Sequence, residues 1–142
     1  FLGVTASINN GSAYTAMVLK SFTWTSGNQI EVIDNAVNST GVEEVFIAAR
    51  NPSMNVVVAQ DNNASAVVTY DEWFTDLFSS GPTTHSLSFT LGSTSGNIAA
   101  VTALTAQVVG VNPTESNGHR DVSVDYKCQS TTAEADCKLT IT

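Results

Sequence analysis

Apolar and polar residues alternate along most of the chain, in short runs that end at Gly, Asn or Ser. A period of two is typical of β-strands with one buried face, and the flanking residues favour turns. Asn117 with Gly118, for example, can adopt the positive φ angles of a tight turn. The pattern predicts strands at residues 3–8, 14–24, 30–34, 54–59, 85–91, 98–101, 106–111, 121–128 and 138–142.

One segment, residues 70–79, has a helical period instead. Its large apolar residues recur at i, i+3, i+4, i+7 and i+8, which is the pattern of an amphipathic helix. Thr69 and Glu72 can form a capping box at its start, and Gly81 with Pro82 ends it. We expect the helix to lie flat against a sheet through a core face made of Tyr70, Trp73, Phe74, Leu77 and Phe78.

Three segments are predicted as loops. The first, between Asp34 and Arg50, begins polar and ends in a stretch that could form a short strand. It is too long for a hairpin turn, and long loops in compact domains are usually functional or disordered. Residues 60–65 and 112–120 are the other two. A length of 142 residues with 42% hydrophobic content predicts one domain, residues 1–142, with a single core.

The charge balance excludes one class of function. Charged residues make up 13% of the chain, and the formal net charge is −8. Such a protein repels nucleic-acid phosphates, so a tight DNA binder is not expected. Nothing approaches the roughly 18 consecutive apolar residues of a membrane span, and we therefore expect a soluble protein without membrane contact.

The sequence contains no recognisable catalytic, cofactor or metal site. His85 opens a predicted strand and His119 follows a turn, so both are expected at the surface or half-buried. Glu72 and Asp76 share the helix face opposite the apolar stripe, where we expect both to be solvated. A zinc site would need both histidines and both cysteines together, and we expect none. We therefore expect no enzyme activity and no cofactor.

The two cysteines, Cys128 and Cys137, lie on either side of a predicted turn at residues 130–132. A disulfide across such a hairpin is geometrically easy and would add roughly 2–3 kcal/mol of stability. It requires an oxidising setting, such as a particle released from its cell. Two reduced thiols are the alternative.

The order of the predicted strands, loops and helix resembles that of a known protein family. The first half has a strand, a loop with a Gly and acidic residues, and a further strand, at residues 30–34, 38–45 and 54–58. In the second half a helix is followed by a strand, a turn of small residues and two more strands, at residues 71–78, 87–91, 96–97, 106–108 and 122–126. This arrangement resembles the major tail-tube proteins of long-tailed, siphovirus-like bacteriophages.

The resemblance implies a mainly β fold, a β-sandwich or partly closed barrel with one flanking amphipathic α-helix. It implies a structural virion protein that assembles with itself, six copies to a ring, into the stacked rings of the phage tail tube. Other tail proteins would be partners, and DNA would pass through the lumen as non-specific cargo during ejection. Residues 35–44 would reach a neighbouring subunit or the next ring, and Asp34, Glu43 and Glu44 are expected at the lumen or the ring contacts.

Two alternatives remain open. An immunoglobulin-like virion decoration or cell-surface adhesion domain would share the strands and turns, although it explains the aromatic helix poorly. A tail-completion or baseplate protein could have the same fold as the tube subunit. Only the assembly state separates that protein from a tube subunit.

Overall fold

The computed structural model describes residues 4–9, 13–14, 18–59, 70–81, 83–129 and 137–142. These residues form ten strands and one short helix, which confirms the prediction of a mainly β fold with a helix beside it. In chain order the elements are β1 (Val4–Asn9), β2 (Ala13–Tyr14), β3 (Leu19–Thr25), β4 (Gln29–Asp34), β5 (Val42–Ala49), β6 (Ser53–Ala59), α1 (Tyr70–Phe78), β7 (Thr84–Leu91), β8 (Ala99–Ser116), β9 (His119–Cys128) and β10 (Lys138–Ile141).

Eight of these strands form one antiparallel sheet. Its order is β2-β1-β7-β8-β9-β6-β3, and β10 pairs with β8 outside this path. Strand β8 is long enough to hold two partners along one edge, because β10 pairs with residues 99–102 and β9 with residues 106–116. Strand β7 lies along the opposite edge of β8, next to residues 99–107.

The core follows from the period of two along these strands. In β6, β7 and β9 every second side chain is buried, and antiparallel partners such as Val56 and Val124 point to the same side of the sheet. The largest fully buried apolar side chains are Trp73, Tyr126, Phe89, Ile8, Met54 and Leu87.

The sheet folds back over this core. Phe22 on β3 stacks on Phe89 of β7, with ring centroids 4.7 Å apart and planes inclined by 11°. Three strands, β8, β9 and β6, separate β3 from β7 in the sheet order, so the two rings can meet only if the sheet is strongly curved. The sheet does not close into a barrel within the described residues, and the result is a β-sandwich-like fold.

Helix α1 packs on the sheet through a narrower stripe than the sequence predicts. Trp73 is 1% exposed, and Leu77, one turn later, is half-buried against the core. The prediction is wrong for Phe74 and Phe78, which are 43% and 69% exposed. Each follows a core-facing residue by one position, and a step of about 100° around the helix carries it off the contact line.

The segment between Asp34 and Arg50 corrects the prediction of a long loop. Strands β4 and β5 pair with each other to form a separate two-stranded sheet, and the turn of this hairpin covers residues 35–41. The sequence indicated the second strand only as a stretch that could form a short strand, because its residues, Val42–Ala49, do not alternate strictly between apolar and polar. We call β4, β5 and the turn between them the hairpin.

Three further boundaries differ from the prediction. The strand predicted at residues 14–24 is divided between β2 and β3, and the two strands predicted at 98–101 and 106–111 are one continuous β8. Most of the loop predicted at 112–120 belongs to β8 and β9, which are joined by a tight turn at Asn117 and Gly118 with φ angles of 53° and 76°. The predicted loop at 60–65, the capping residue Thr69 and the turn at 130–132 lie outside the described residues.

The described residues contain no helix with both the length and the apolar character needed to span a bilayer.

Candidate assembly surface

One face of the hairpin is apolar and open to solvent. Ile30 lies opposite Ile47, and Val32 lies opposite Val45, so the four side chains point to the same side of the two strands. Their exposed fractions lie between 43% and 64%. None of them belongs to the core of the main sheet. Four adjacent β-branched side chains in water are unusual for an isolated chain and indicate a surface that a partner covers.

The opposite face of the hairpin is mixed. Here Glu31 lies opposite Phe46, and Ile33 lies opposite Glu44. Each apolar residue is therefore next to a carboxylate across the strands, which keeps this face compatible with water. The two faces of one hairpin differ in chemistry, and only the Ile30–Val32–Val45–Ile47 face, which we call the apolar hairpin face, is suited to burial.

The tip of the hairpin is held by its own hydrogen bonds. The backbone N–H of Asn35 donates to the carbonyl of Gly41 at 3.0 Å, and the side-chain amide of Asn38 donates to the carbonyl of Val42 at 2.8 Å. The Asn35 carboxamide oxygen accepts from the backbone N–H of Val37 at 2.9 Å. Val37, which is 94% exposed, forms an apolar apex. A tip ordered in this way loses little conformational entropy when it docks.

The three acids predicted for a lumen or ring contact all lie at this tip. Asp34 pairs with Val42, and Glu44 pairs with Ile33 on the mixed face. Glu43 falls at an irregularity in the register and accepts a hydrogen bond from the side-chain amide of Asn35. The structure therefore places Asp34, Glu43 and Glu44 at neighbouring positions of one hairpin. The contact that each of them makes in an assembly stays a prediction.

Several strand edges have open backbone groups within the described residues, and two of them belong to β3 and β8 of the main sheet. Strand β3 ends the order of the main sheet and pairs on one side only, with β6. The second half of β8 pairs with β9, while its ladder to β7 ends at Gln107. Unpaired N–H and C=O groups along an edge can continue the sheet into another chain. These edges are a second feature suited to assembly.

Beneath the helix lies a buried chain of hydrogen bonds. The Trp73 indole donates to the Tyr126 hydroxyl at 2.8 Å, and this hydroxyl is 3.3 Å from Nδ1 of His85. The Nε2 atom of His85 is 2.8 Å from Oδ2 of Asp76. Every atom is satisfied when the hydroxyl donates to Nδ1 and Nε2–H donates to the carboxylate. Burial raises the pKa of the Tyr126 phenol well above its usual range.

This network corrects two predictions. His85 was expected at or near the surface, yet it is fully buried, and Asp76 was expected to be solvated, yet it bonds to His85. The position of His85 was available from the sequence, because His85, Leu87 and Phe89 share one face of β7 at a period of two. The bond between Asp76 and His85 could not be predicted from the sequence, because it depends on how the helix is rotated against the sheet.

The network has the residue types of a proton relay, but three of its four side chains are fully buried. Tyr126, His85 and Trp73 are each at most 1% exposed, and every hydrogen-bonding atom named above has a partner within the chain. Its evident role is to fix the helix to the sheet.

The other polar features do not converge on a reactive centre. No group of three or more His, Cys, Asp or Glu residues that could hold a metal ion occurs among the described positions. An open cleft of about 280 Å³ is lined by both polar and apolar residues, among them Asn55, Val109 and Asp125. Lys20 forms an ion pair of 2.6 Å with the buried Asp121, which ties β3 to β9.

Comparison with known proteins identifies solved structures that have a similar fold. No known protein family matches the sequence, and no curated protein is significantly similar to it. Among solved structures, the chain is similar to a chain in the tail of an empty gene transfer agent particle, determined with C6 symmetry, with a TM-score of 0.63 at 10% identity. It is also similar to a chain in the virion of the native gene transfer agent particle, with a TM-score of 0.62 at 10% identity. In both cases the match covers 98% of this chain and 95% of the other, so the likeness extends over the whole fold.

Proposed function

We propose that this chain is a structural virion protein of a phage-type tail, and that six copies form a ring which stacks with others into the tail tube. DNA passes through the lumen of this tube during ejection. The observation that carries the proposal is the apolar hairpin face, Ile30, Val32, Val45 and Ile47, which a single copy leaves in water. A ring contact that covers it would remove this exposed apolar surface, which favours association.

The similarity to chains of a symmetric tail favours a second copy of this chain as the partner that covers the apolar hairpin face. The chain shares its fold, from one end to the other, with a chain from a tail of C6 symmetry. A ring of identical copies requires a heterologous contact, in which two different surfaces of the same chain meet and the rotation closes. The apolar hairpin face supplies one such surface on a projecting element, and the main sheet supplies the other.

The open strand edges support the same assembly. Strand β3 and the second half of β8 present unpaired backbone groups, which a neighbouring copy can use to continue the sheet around the ring. In a monomer such edges promote aggregation. In a closed ring they become part of the contact.

The net charge of −8 fits a conduit for DNA. A wall that repels phosphates has no deep binding wells, so DNA can slide along it. The tip acids Asp34, Glu43 and Glu44 lie together on the hairpin, where they face either the lumen or the next ring. In this proposal DNA is cargo, other tail proteins contact the ends of the tube, and the chain needs no cofactor and no catalytic group.

Assembly of two charge variants tests this proposal. Val32→Lys places a charge on the apolar hairpin face, whereas Ile33→Lys places the same charge on the mixed face of the same strand. The two positions are adjacent and 51% and 46% exposed, so the variants are matched in strand, exposure and charge. We expect the unmodified protein and Ile33→Lys to form hollow tubes under negative-stain electron microscopy, and Val32→Lys to remain as single copies.

Two outcomes would overturn the proposal. Persistent monomers of the unmodified protein at high concentration would favour the decoration or adhesion domain instead. Tubes that form equally well with Val32→Lys would show that the apolar hairpin face is not a ring contact. Circular dichroism of each variant separates a loss of assembly from a loss of folding.

A further inference from the structure

Strands β9 and β10 lie end to end along one edge of β8. Cys128, the last residue of β9, pairs with Ala106, and Lys138, the first residue of β10, pairs with Thr102. Both strands run antiparallel to β8, so the chain leaves this line after β9 and returns to it at β10. Cys137 directly precedes Lys138. The two cysteines therefore flank the interruption in what is otherwise one continuous line of pairing.

Both cysteines face the core. Cys128 is 4% exposed and belongs to the buried cluster, and Cys137 is half-buried and packs against that cluster. The pairing register explains this, because it places Cys128 opposite Ala106 and extrapolates to place Cys137 opposite Ala103. Ala103 and Ala106 are both fully buried. The small alanine side chains leave room for sulfur atoms on this face.

A bulge in β8 shortens the distance between the two positions. Ala103 pairs with Leu87 and Ala106 pairs with His85, so three residue steps on β8 match two on β7. Two steps of an extended strand span roughly 6.4–6.8 Å, and the aligned Cys128 and Cys137 are offset by about the same amount. This lies at the upper end of the Cα separations found in disulfides, roughly 4.4–6.8 Å.

We propose that Cys128 and Cys137 form a redox-controlled disulfide that fixes the C-terminal strand β10 to the sheet. Strand β10 is four residues long and pairs with β8 alone among the described strands, so it is weakly attached without such a bond. The disulfide closes the base of the segment formed by residues 129–136. This inference concerns the chain itself and does not rest on the proposed function.

The chemistry requires a disulfide as oxidant, such as oxidised glutathione. The thiolate of the more accessible Cys137 attacks one sulfur of the reagent, breaks its S–S bond and releases one thiolate. The Cys128 thiolate then attacks the Cys137 sulfur of this mixed disulfide and displaces the second thiolate. The protein loses two electrons and two protons, and the reagent becomes two molecules of thiol.

The bond can be detected directly, because trypsin cleaves after Lys127 and Lys138 and so releases both cysteines in one peptide, residues 128–138. The folded protein is incubated with oxidised glutathione, treated with an alkylating reagent and digested. We expect this peptide to be lighter by two hydrogen masses and to carry no alkyl group. When the protein is reduced before alkylation, the peptide should carry two alkyl groups.

The stability of the folded chain supplies an independent readout. We expect oxidation to raise the Tm by roughly 5–10 °C, as closure of a short loop predicts. Cys137→Ser is the control, since its Tm should not respond to the oxidant. Alkylation of both cysteines after equilibration with the oxidant, or a mixed disulfide on Cys137 that does not resolve, would overturn the proposal. Because these measurements need no assembly, their failure is distinct from a failure to form tubes.

Discussion

Trp73 on the helix donates its indole N–H to the hydroxyl of Tyr126 on β9 across 2.8 Å. The two residues are 53 positions apart in the sequence and are both buried. The same hydroxyl is 3.3 Å from His85, whose other ring nitrogen bonds to Asp76 of the helix. The helix is therefore held to the sheet at two points that share one phenol oxygen.

Removal of that oxygen tests the role of the network. In Tyr126→Phe the ring remains, but the indole N–H of Trp73 and Nδ1 of His85 lose their partner inside the core. We expect the free energy of unfolding to fall by about 1–3 kcal/mol, the usual cost of leaving buried polar groups unsatisfied. Urea unfolding followed by circular dichroism measures it.

The control for this experiment lies on the same helix. Phe78 is 69% exposed, so Phe78→Ala should change the free energy of unfolding by no more than about 0.5 kcal/mol. Equal stability of Tyr126→Phe and the unmodified protein would mean that the network does not hold the helix.

The raised pKa of Tyr126 predicts a loss of stability in alkali. A tyrosine in the unfolded chain ionises near pH 10, and burial raises the pKa of Tyr126 above that value in the folded state. Its contribution to stability is fully present below about pH 10 and is lost as the pH rises toward the folded pKa, because only the unfolded state releases the proton there. The slope is at most about 1.4 kcal/mol per pH unit.

The test is a difference between two proteins, so that effects common to both cancel. We expect the free energy of unfolding to fall more steeply between pH 9.5 and 11 for the unmodified protein than for Tyr126→Phe, in urea titrations at fixed ionic strength. Parallel curves for the two proteins would show that the phenol is not responsible.

Alternation of apolar and polar residues was sufficient to predict most strands of the main sheet, because those strands bury one face. For the same reason the hairpin was only partly predicted: residues 30–34 were predicted as a strand, but β5 only as a stretch, at the end of a long loop, that could form a short strand. Its residues bury little of either face within one copy, and the stretch around Glu43 and Glu44 has two polar neighbours where alternation would put one. A strand that buries neither face within one copy need not alternate between apolar and polar residues, and β5 does not.

The helix shows a different limit of prediction from sequence periodicity. Its period correctly predicted where it lies and that Trp73 faces the core, but periodicity does not report how wide the contact is. Phe74 and Phe78 lie close together on the exposed side, with ring centroids 4.8 Å apart. The pairing of Asp76 with His85 depends on the rotation of the helix, which is a property of tertiary packing.

The root of the hairpin depends on a close backbone approach. Gly27, between β3 and β4, has a φ of +58°, and a Cβ added to it would lie 2.2 Å from the backbone oxygen of Asn51. The carbonyl of Gly27 also accepts the backbone N–H of Asn51 at 3.2 Å. We expect Gly27→Ala to lower the free energy of unfolding by more than 2 kcal/mol, from the combined effects of strain and collision.

Gly41 in the hairpin turn is the matched control. Its φ is +73°, but an added Cβ would meet nothing within 4 Å. Gly41→Ala therefore adds the left-handed strain without the collision, and we expect a loss of about 1 kcal/mol in urea unfolding. If the two variants lose the same stability, the approach of Gly27 to Asn51 does not fix the hairpin.

The charge of the hairpin tip provides the last prediction. If Glu43 and Glu44 line the lumen, a double variant with Glu43→Lys and Glu44→Lys should assemble but slow the passage of DNA, because lysines would bind phosphates that the acids repel. The rate of DNA release from particles built with the variant measures this effect. Glu31→Lys, which lies on the same hairpin away from the tip, is the control for reversing the charge of an acid elsewhere on the hairpin. Unchanged release from the double variant would argue against a lumenal tip, and loss of assembly would place these acids at a ring contact instead.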